Sequence, residues 1–273
     1  MNNTIAVVVA HPDDEILGCG GTLSRFAKEG NDIHILILAD GESSRETKGK
    51  KGEVNQIKIR NNAAVNACKK IGCASVIMKN LPDNRLDGVE RLDIIQIIES
   101  FIHYHNPVIL FTHHAGDVNI DHRVVHDSVI AAARPQPGFS VKEILFFEVP
   151  SSTEWRPQCP ATAFHPNVYI DITQTLHIKM DALNAYASEL RPFPHPRSVE
   201  AIEALARWRG ATVGVCAAEA FALGMQMRGL PPMVAKIQAL DMFKRKKQTE
   251  VQELQTEIKN LSKQIGVIKS TGQ

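Results

Sequence analysis

The chain has 273 residues, 44% of them apolar, and a net charge of +1 from 31 Lys and Arg against 30 Asp and Glu. That length can bury a sizeable core in one large domain or in one domain with an appendage. The balanced, dispersed charge excludes a surface built for nucleic acid or an anionic membrane. Cys19, Cys68, Cys73, Cys159 and Cys216 form an odd set without a CxxC pair, which argues against a disulfide framework or a thiolate zinc site and fits a reducing cytoplasm. No apolar run approaches the roughly 18 residues of a membrane span, so no membrane span is expected.

Residues 4–10, with the run Ile5-Ala6-Val7-Val8-Val9, show no polar alternation, the pattern of a strand buried on both faces of a parallel sheet. Ile16 to Lys28 reads as a helix closed by Gly30, and Ile33 to Ala39 as a second buried strand. A polar, Lys-rich loop follows to about Gly52, then an amphipathic helix over 53–71, a short strand over Ser75–Met78 and a polar loop over Leu81–Asp87. Leu92, Ile95, Ile98 and Ile102 mark the core face of a helix ended by Asn106-Pro107, and Val108–Phe111 is the next strand. Ile144–Val149 and Val168–Ile172 read as later strands, followed by helices over about 174–190 and 198–228. The repeated strand, polar loop and helix predict a three-layer α/β fold, Rossmann-like, with a mostly parallel sheet and helices on both faces.

The end of the chain differs in kind. Val251, Leu254, Ile258, Leu261, Ile265 and Ile268 alternate spacings of three and four, a register that reaches back to Ile237 and is broken by Lys244 and Lys247. This pattern predicts a domain over 1–230 and a helical, coiled-coil-like tail over 231–273 that joins copies into a homo-oligomer.

Ala10-His11-Pro12-Asp13-Asp14-Glu15 sits at the mouth of the first strand, where one imidazole and three carboxylates form a candidate metal site. Gly116 to His126, the segment GDVNIDHRVVH, follows the 108–111 strand and should open on the same rim. Within it, His122 and His126 share a helix face, so either could complete the ligand set.

Here the sequence resembles the PIG-L-like (LmbE-like) family of zinc-dependent de-N-acetylases. AHPDDE and the NxDHR pattern match it, as do Arg60, Leu81-Pro82-Asp83-Asn84-Arg85-Leu86, Arg134-Pro135, Ser151-Ser152-Thr153-Glu154-Trp155, Pro194-His195-Pro196-Arg197-Ser198 and Ala218-Glu219-Ala220-Phe221. The resemblance spans roughly residues 4–225 and implies removal of an N-acetyl group from an amino sugar or its conjugate. By position it makes His11, Asp14 and His122 the ligands of Zn2+ or another divalent transition metal, with a fourth position left to water. It makes Asp13 the general base, and Arg60 and Asp83 the contacts to substrate hydroxyls. His126 then falls to packing or support of a ligand.

One departure stands out. Many relatives carry HPDH where this chain has Asn119-Ile120-Asp121-His122, so the imidazole that helps hold the oxyanion is absent at 119. Asn119 supplies a weaker neutral donor, or another histidine takes over, with His195 the first choice and His113 the second. Asp121 either orients that imidazole or caps the following helix. Two other readings compete with a sugar deacetylase: a metal-dependent sugar-binding module whose catalysis has lapsed, and an amidase on a non-sugar substrate.

Overall fold

A computed structural model of the chain describes residues 3–44 and 50–229, with isolated positions between 240 and 255. The chain divides into two compact units, Met1–Gln226 and Met227–Gln273. The first unit is built on a seven-stranded sheet comprising β1 (Thr4–Val9), β2 (Asp32–Ala39), β3 (Ser75–Leu81), β4 (Ile109–His113), β5 (Glu143–Phe147), β6 (Val168–Asp171) and β7 (Ala218–Gln226). Their spatial order is β3-β2-β1-β4-β5-β7-β6. Strands β1 to β5 pair parallel, and β7 runs antiparallel to both β5 and β6. The helices are α1 (Asp14–Lys28), α2 (Lys50–Ile71), α3 (Arg91–His105), α4 (Ile120–Ala132), α5 (Leu176–Leu183) and α6 (Val199–Val213). The architecture is the expected mostly parallel α/β sheet.

The unbroken apolar run of β1 follows from burial on both faces. Ile5, Val7 and Val9 join Ile16 and Leu17 of α1 and Ala64 and Ala67 of α2 in one core cluster. Ala6, Val8 and Ala10 join Ile94, Ile98, Val125 and Val129 of α3 and α4 in the other. The chain winds outward from β1 through β2 to β3, then crosses back to β4 on the other side of β1. The connections after β1 and β4 therefore diverge, leaving a crevice at the carboxyl ends of these strands. The site lies there.

Helix α1 is bent just beyond that crevice. Cys19 leaves helical geometry at φ −146°, and the backbone groups freed by the break find charged partners. The Lys179 ammonium donates to Leu17 O at 2.8 Å, and the Glu219 carboxylate accepts from the amides of Gly21 and Thr22 at 3.0 and 2.7 Å. Lys179 and Glu219 are themselves paired at 2.6 Å and buried. At Gly18 a Cβ would stand 2.2 Å from Phe147 Cδ2, so only glycine lets the bent helix lie this close to β5.

Three expectations are corrected. The helix expected over 198–228 ends at Val213, where Gly214 takes a left-handed φ of +81°, and residues 218–226 form β7. Ala218-Glu219-Ala220-Phe221-Ala222 carries no β-branched residue, and pairing on both sides plus burial of Phe221 overrides local propensity. The helix expected over 174–190 stops at Leu183 and continues only as a 3-10 turn, Asn184–Tyr186. On α3 the core face is Ile94, Ile98, Phe101 and Ile102, whereas Leu92, in the first turn, is 61% exposed. Most of the heptad register of the tail lies outside the described residues; Val251 and Leu254, which are described, are helical and more than half exposed. No helix among the described residues is long and apolar enough to cross a membrane.

Candidate active site

The turn from β1 into α1 puts four polar residues into the crevice within five positions. Asp13 is held at φ +115°, a conformation costly for a residue with a Cβ. The strained peptide is pinned from behind. Asp13 N donates to Glu15 Oε2 at 3.1 Å, and Tyr186 OH donates to Glu15 Oε1 at 2.6 Å. Burial pushes the Glu15 carboxyl up to about 8, with the Tyr186 hydroxyl opposing.

His11, Asp14 and His122 converge. Asp14 Oδ2 lies 3.3 Å from both His11 Nδ1 and His122 Nε2, and those two nitrogens are 3.3 Å apart. Donors held about 2.0–2.1 Å from a tetrahedral zinc are about 3.4 Å from one another, so this triangle fits three corners of such a site. The buried Asp14 Oδ1 has no hydrogen-bond partner, a lone pair left unspent among the described residues. The opposite edges of both rings are backed by carboxylates. His122 Nδ1 meets Asp117 Oδ2 at 3.1 Å, while His11 Nε2 lies 3.0 Å from Asp83 Oδ1 and from Asp121 Oδ2. His11, Asp83 and Asp121 also stand close enough to hold a cation. Asp121, however, already accepts from Asn84 N at 2.7 Å and Leu86 N at 3.0 Å, so its oxygens are engaged.

The electrostatics match a buried negative cluster that attracts positive charge. Burial lowers the pKa of His122, but Asp14 and Asp117 overcome it and raise the group to about 9. His11 is likewise raised against its burial by Asp121, Asp14 and Asp83. Asp14 is held well below the carboxylate range, since His122 and His113 outweigh its burial. Asp13 differs: burial pushes it up to about 6, with Arg197 pulling the other way.

His11, Asp13, Arg60, Asp83, Asn84, Asn119, Glu189 and Arg197 line a polar cleft of about 140 Å³. Arg60 is held inside the protein: Nε donates to Glu42, Nη1 donates to Pro12 O at 3.3 Å, and Nη2 is ion-paired with Glu189 but completes no hydrogen bond. Asp83 accepts from Ser44 Oγ as well as pairing with His11. Asn119 rather than Asp121 caps α4, accepting from Asp121 N at 2.8 Å and donating through Nδ2 to Asn84 Oδ1 at 3.2 Å. His195 is not on the cleft wall. Its Nδ1 accepts from Arg197 N at 3.0 Å and its ring meets the edge of Trp155. His113 lies beneath the site, stacked on His122 at 4.0 Å with Nε2 accepting from Ala10 N at 2.9 Å. His126 donates from Nδ1 to His113 O at 2.9 Å and packs on Phe146, away from the ligand triangle.

Sequence reasoning gave no role to Asp117, Tyr186 or Arg197. Asp117 stood in the quoted GDVNIDHR segment, and its signal was a carboxylate in the loop that delivers His122. Arg197, from the loop before α6, donates from Nη1 to Asp13 Oδ2 at 2.8 Å across 184 residues; it stood in the Pro194–Ser198 segment that matches the family, but nothing local marks its contact with Asp13.

A cluster of this composition at the switch point of an open α/β sheet could hold a metal ion, with the carboxylate of Asp13 on the adjoining cleft wall. Residues 6–133 match the PIG-L family, described as GlcNAc-PI de-N-acetylase. The chain is 30% identical over 190 residues to YaiS, an uncharacterised deacetylase of Escherichia coli K12, covering 67% of this chain and 90% of that protein. It belongs to the PIG-L family, and its class is N-deacetylase. Its fold is similar to that of N,N'-diacetylchitobiose deacetylase from Pyrococcus horikoshii (TM-score 0.65, 19% identity, 81% of this chain and 83% of that one). It is also similar to GalB, the 4-carboxy-2-hydroxymuconate hydratase of Pseudomonas putida KT2440 (TM-score 0.69, 21% identity, 85% and 99%). The fold alone therefore does not select the reaction.

Proposed function

We propose that the chain is a zinc-dependent hydrolase that removes the N-acetyl group from an N-acetylated amino sugar of the N-acetylglucosamine type, or from its conjugate, releasing acetate. The carrying observation is the triangle of His11, Asp14 and His122 donors beside a carboxylate, Asp13, that faces the cleft and titrates near neutrality. The sugar is suggested by the family's description as GlcNAc-PI de-N-acetylase and by the structural likeness to the diacetylchitobiose deacetylase. Bound by the triangle, zinc supplies Lewis acidity, which brings the pKa of water toward neutrality and polarises a carbonyl.

The protein's own part follows from its geometry. Asp13 takes a proton from the attacking water and returns it to the leaving amine, its carboxylate oriented by Arg197 and its backbone by Glu15. Asp117 and the Asp83–Asp121 pair fix the two ligand rings. With only about 140 Å³ available, the cleft takes the acetamide and part of one ring, and the rest of the substrate lies outside. Asp83 and Asn119 offer an acceptor and a donor to hydroxyls at its mouth, as does Arg60 if a substrate displaces one of its carboxylates. We further propose that residues 231–273 join copies of the chain and that the protein acts in the cytoplasm.

The test is acetate release by the zinc-loaded protein across N-acetyl sugars with different anomeric groups. Asp13→Ala should keep its metal and lose acetate release; full turnover in that variant refutes the base assignment. Binding of an N-acetyl sugar without acetate from any of them would favour a lapsed binding module instead.

A further inference from the structure

A tetrahedral oxyanion formed in this cleft calls for a hydrogen-bond donor, and the cleft wall holds few. Arg60 is buried, with Nε on Glu42, Nη1 on Pro12 O and Nη2 held in an ion pair against Glu189 without a completed hydrogen bond. Asn119 has its carbonyl on Asp121 N and one amide hydrogen on Asn84. His113 is sealed beneath the ligands and His195 points at the backbone of Arg197.

Arg197 remains. It lines the cleft with its side chain 20% exposed, and it is held from two sides: Nε donates to Ser151 Oγ at 2.7 Å and Nη1 to Asp13 Oδ2 at 2.8 Å. Its backbone amide donates to His195 Nδ1, and the His195 ring is braced by Trp155. The Nη2 group has no hydrogen-bond partner among the described residues.

We propose that Arg197 is a catalytic residue that carries the oxyanion through Nη2. This rests on the deacetylase reading, and the charge arithmetic supports it. In the attack, water oxygen bonds to the acetamide carbon, its proton passes to Asp13, and the carbonyl π pair moves onto oxygen. One negative charge thus leaves Asp13 and appears on the oxyanion. A cleft-lining guanidinium that touches the base with Nη1 and has Nη2 to offer to the substrate stays paired throughout, and its attraction to the substrate is strongest once the base is neutral. On collapse the pair returns to the carbonyl, the C–N bond breaks, and the proton on Asp13 passes to nitrogen. A neutral amide donor at 119 could not follow the charge in this way.

The experiment compares a tetrahedral anion with a planar neutral amide. Calorimetry on the zinc-loaded protein is run with methylphosphonate and with acetamide, alongside acetate release from N-acetylglucosamine derivatives. Arg197→Met should weaken methylphosphonate by about 10–100-fold, the scale of a charge-assisted hydrogen bond, while acetamide changes less than threefold. Arg197→Lys should recover part of the loss, and kcat should fall with KM nearly constant. Equal losses for the two probes, or no loss for methylphosphonate, overturn the proposal. So does a selective loss of methylphosphonate in Asn119→Ala that Arg197→Met lacks. If the probes separate as expected but no derivative releases acetate, Arg197 stands as the anion donor and the deacetylase reading is what fails.

Discussion

At the scale of single residues, two carboxylates adjacent in sequence are driven in opposite directions. Asp14 is kept ionised by two imidazoles, while burial lifts Asp13 to about 6. A base poised there is mostly ionised at neutral pH yet basic enough to accept a proton from water. The rate of acetate release at low substrate should therefore rise with pH through about 6 and level off above it. In Asp13→Asn the limb should vanish along with about 10²–10⁴-fold of the rate, with metal content unchanged; a limb that survives assigns it to another group. Asp117 acts through His122 rather than on substrate. Asp117→Asn should weaken zinc by about 10–100-fold in a chelator competition, and an unchanged affinity would show that Ser152 or Asp14 orients the ring instead. The ligands were legible because His11 and Asp14 share one turn and His122 opens the next loop on the same rim. The contacts of Arg197 with Asp13 and of Tyr186 with Glu15 were not, because these partners lie more than 170 residues apart and no spacing encodes that distance.

At the scale of elements, the motif helix depends on chain that follows it by some 160 to 200 residues. The break in α1 leaves Leu17 O and two amides without helical partners, and Lys179 of α5 with Glu219 of β7 satisfies them. Removing one member strands a buried charge, so Lys179→Met should cost about 3–5 kcal/mol in denaturant unfolding. Pairing it with Glu219→Gln should recover part of that cost; simple additivity of the two losses would show that the residues do not act as a unit. The same residues explain why β7 was read as helix. Ala-Glu-Ala-Phe-Ala is locally a good helical sequence, and what makes it a strand is a ladder on each side and a carboxylate needed at the α1 break. The parallel strands were legible because burial on both faces leaves continuous apolar runs, a property of the strand itself, whereas β7 is defined by its neighbours.

At the scale of the whole molecule, the tail and the metal each make a claim on assembly or stability. The heptad spacing of 251–268 is a sequence property, and truncation after Arg228 should lower the number of chains per particle by light scattering while sparing zinc binding; an unchanged number assigns those apolar positions to the chain's own packing. The metal claim follows from the raised histidine. With His122 at about 9 in the folded chain and near its ordinary 6.5 when unfolded, protonation favours the fold. That contribution is fully present below about 6.5 and is lost as pH rises through about 9, on the order of a few kcal/mol for so buried a group. The chelated protein should therefore lose thermal stability steadily from pH 6.5 to 9.5. Zinc needs the same nitrogens unprotonated, so its binding releases protons and the increment in melting temperature at saturating zinc should grow across the same window. A metal-free melting temperature that stays level from pH 6.5 to 9.5 would mean that Asp14 and Asp117 do not hold a proton on His122, and the argument that this cluster is built to be neutralised by a cation would fall with it.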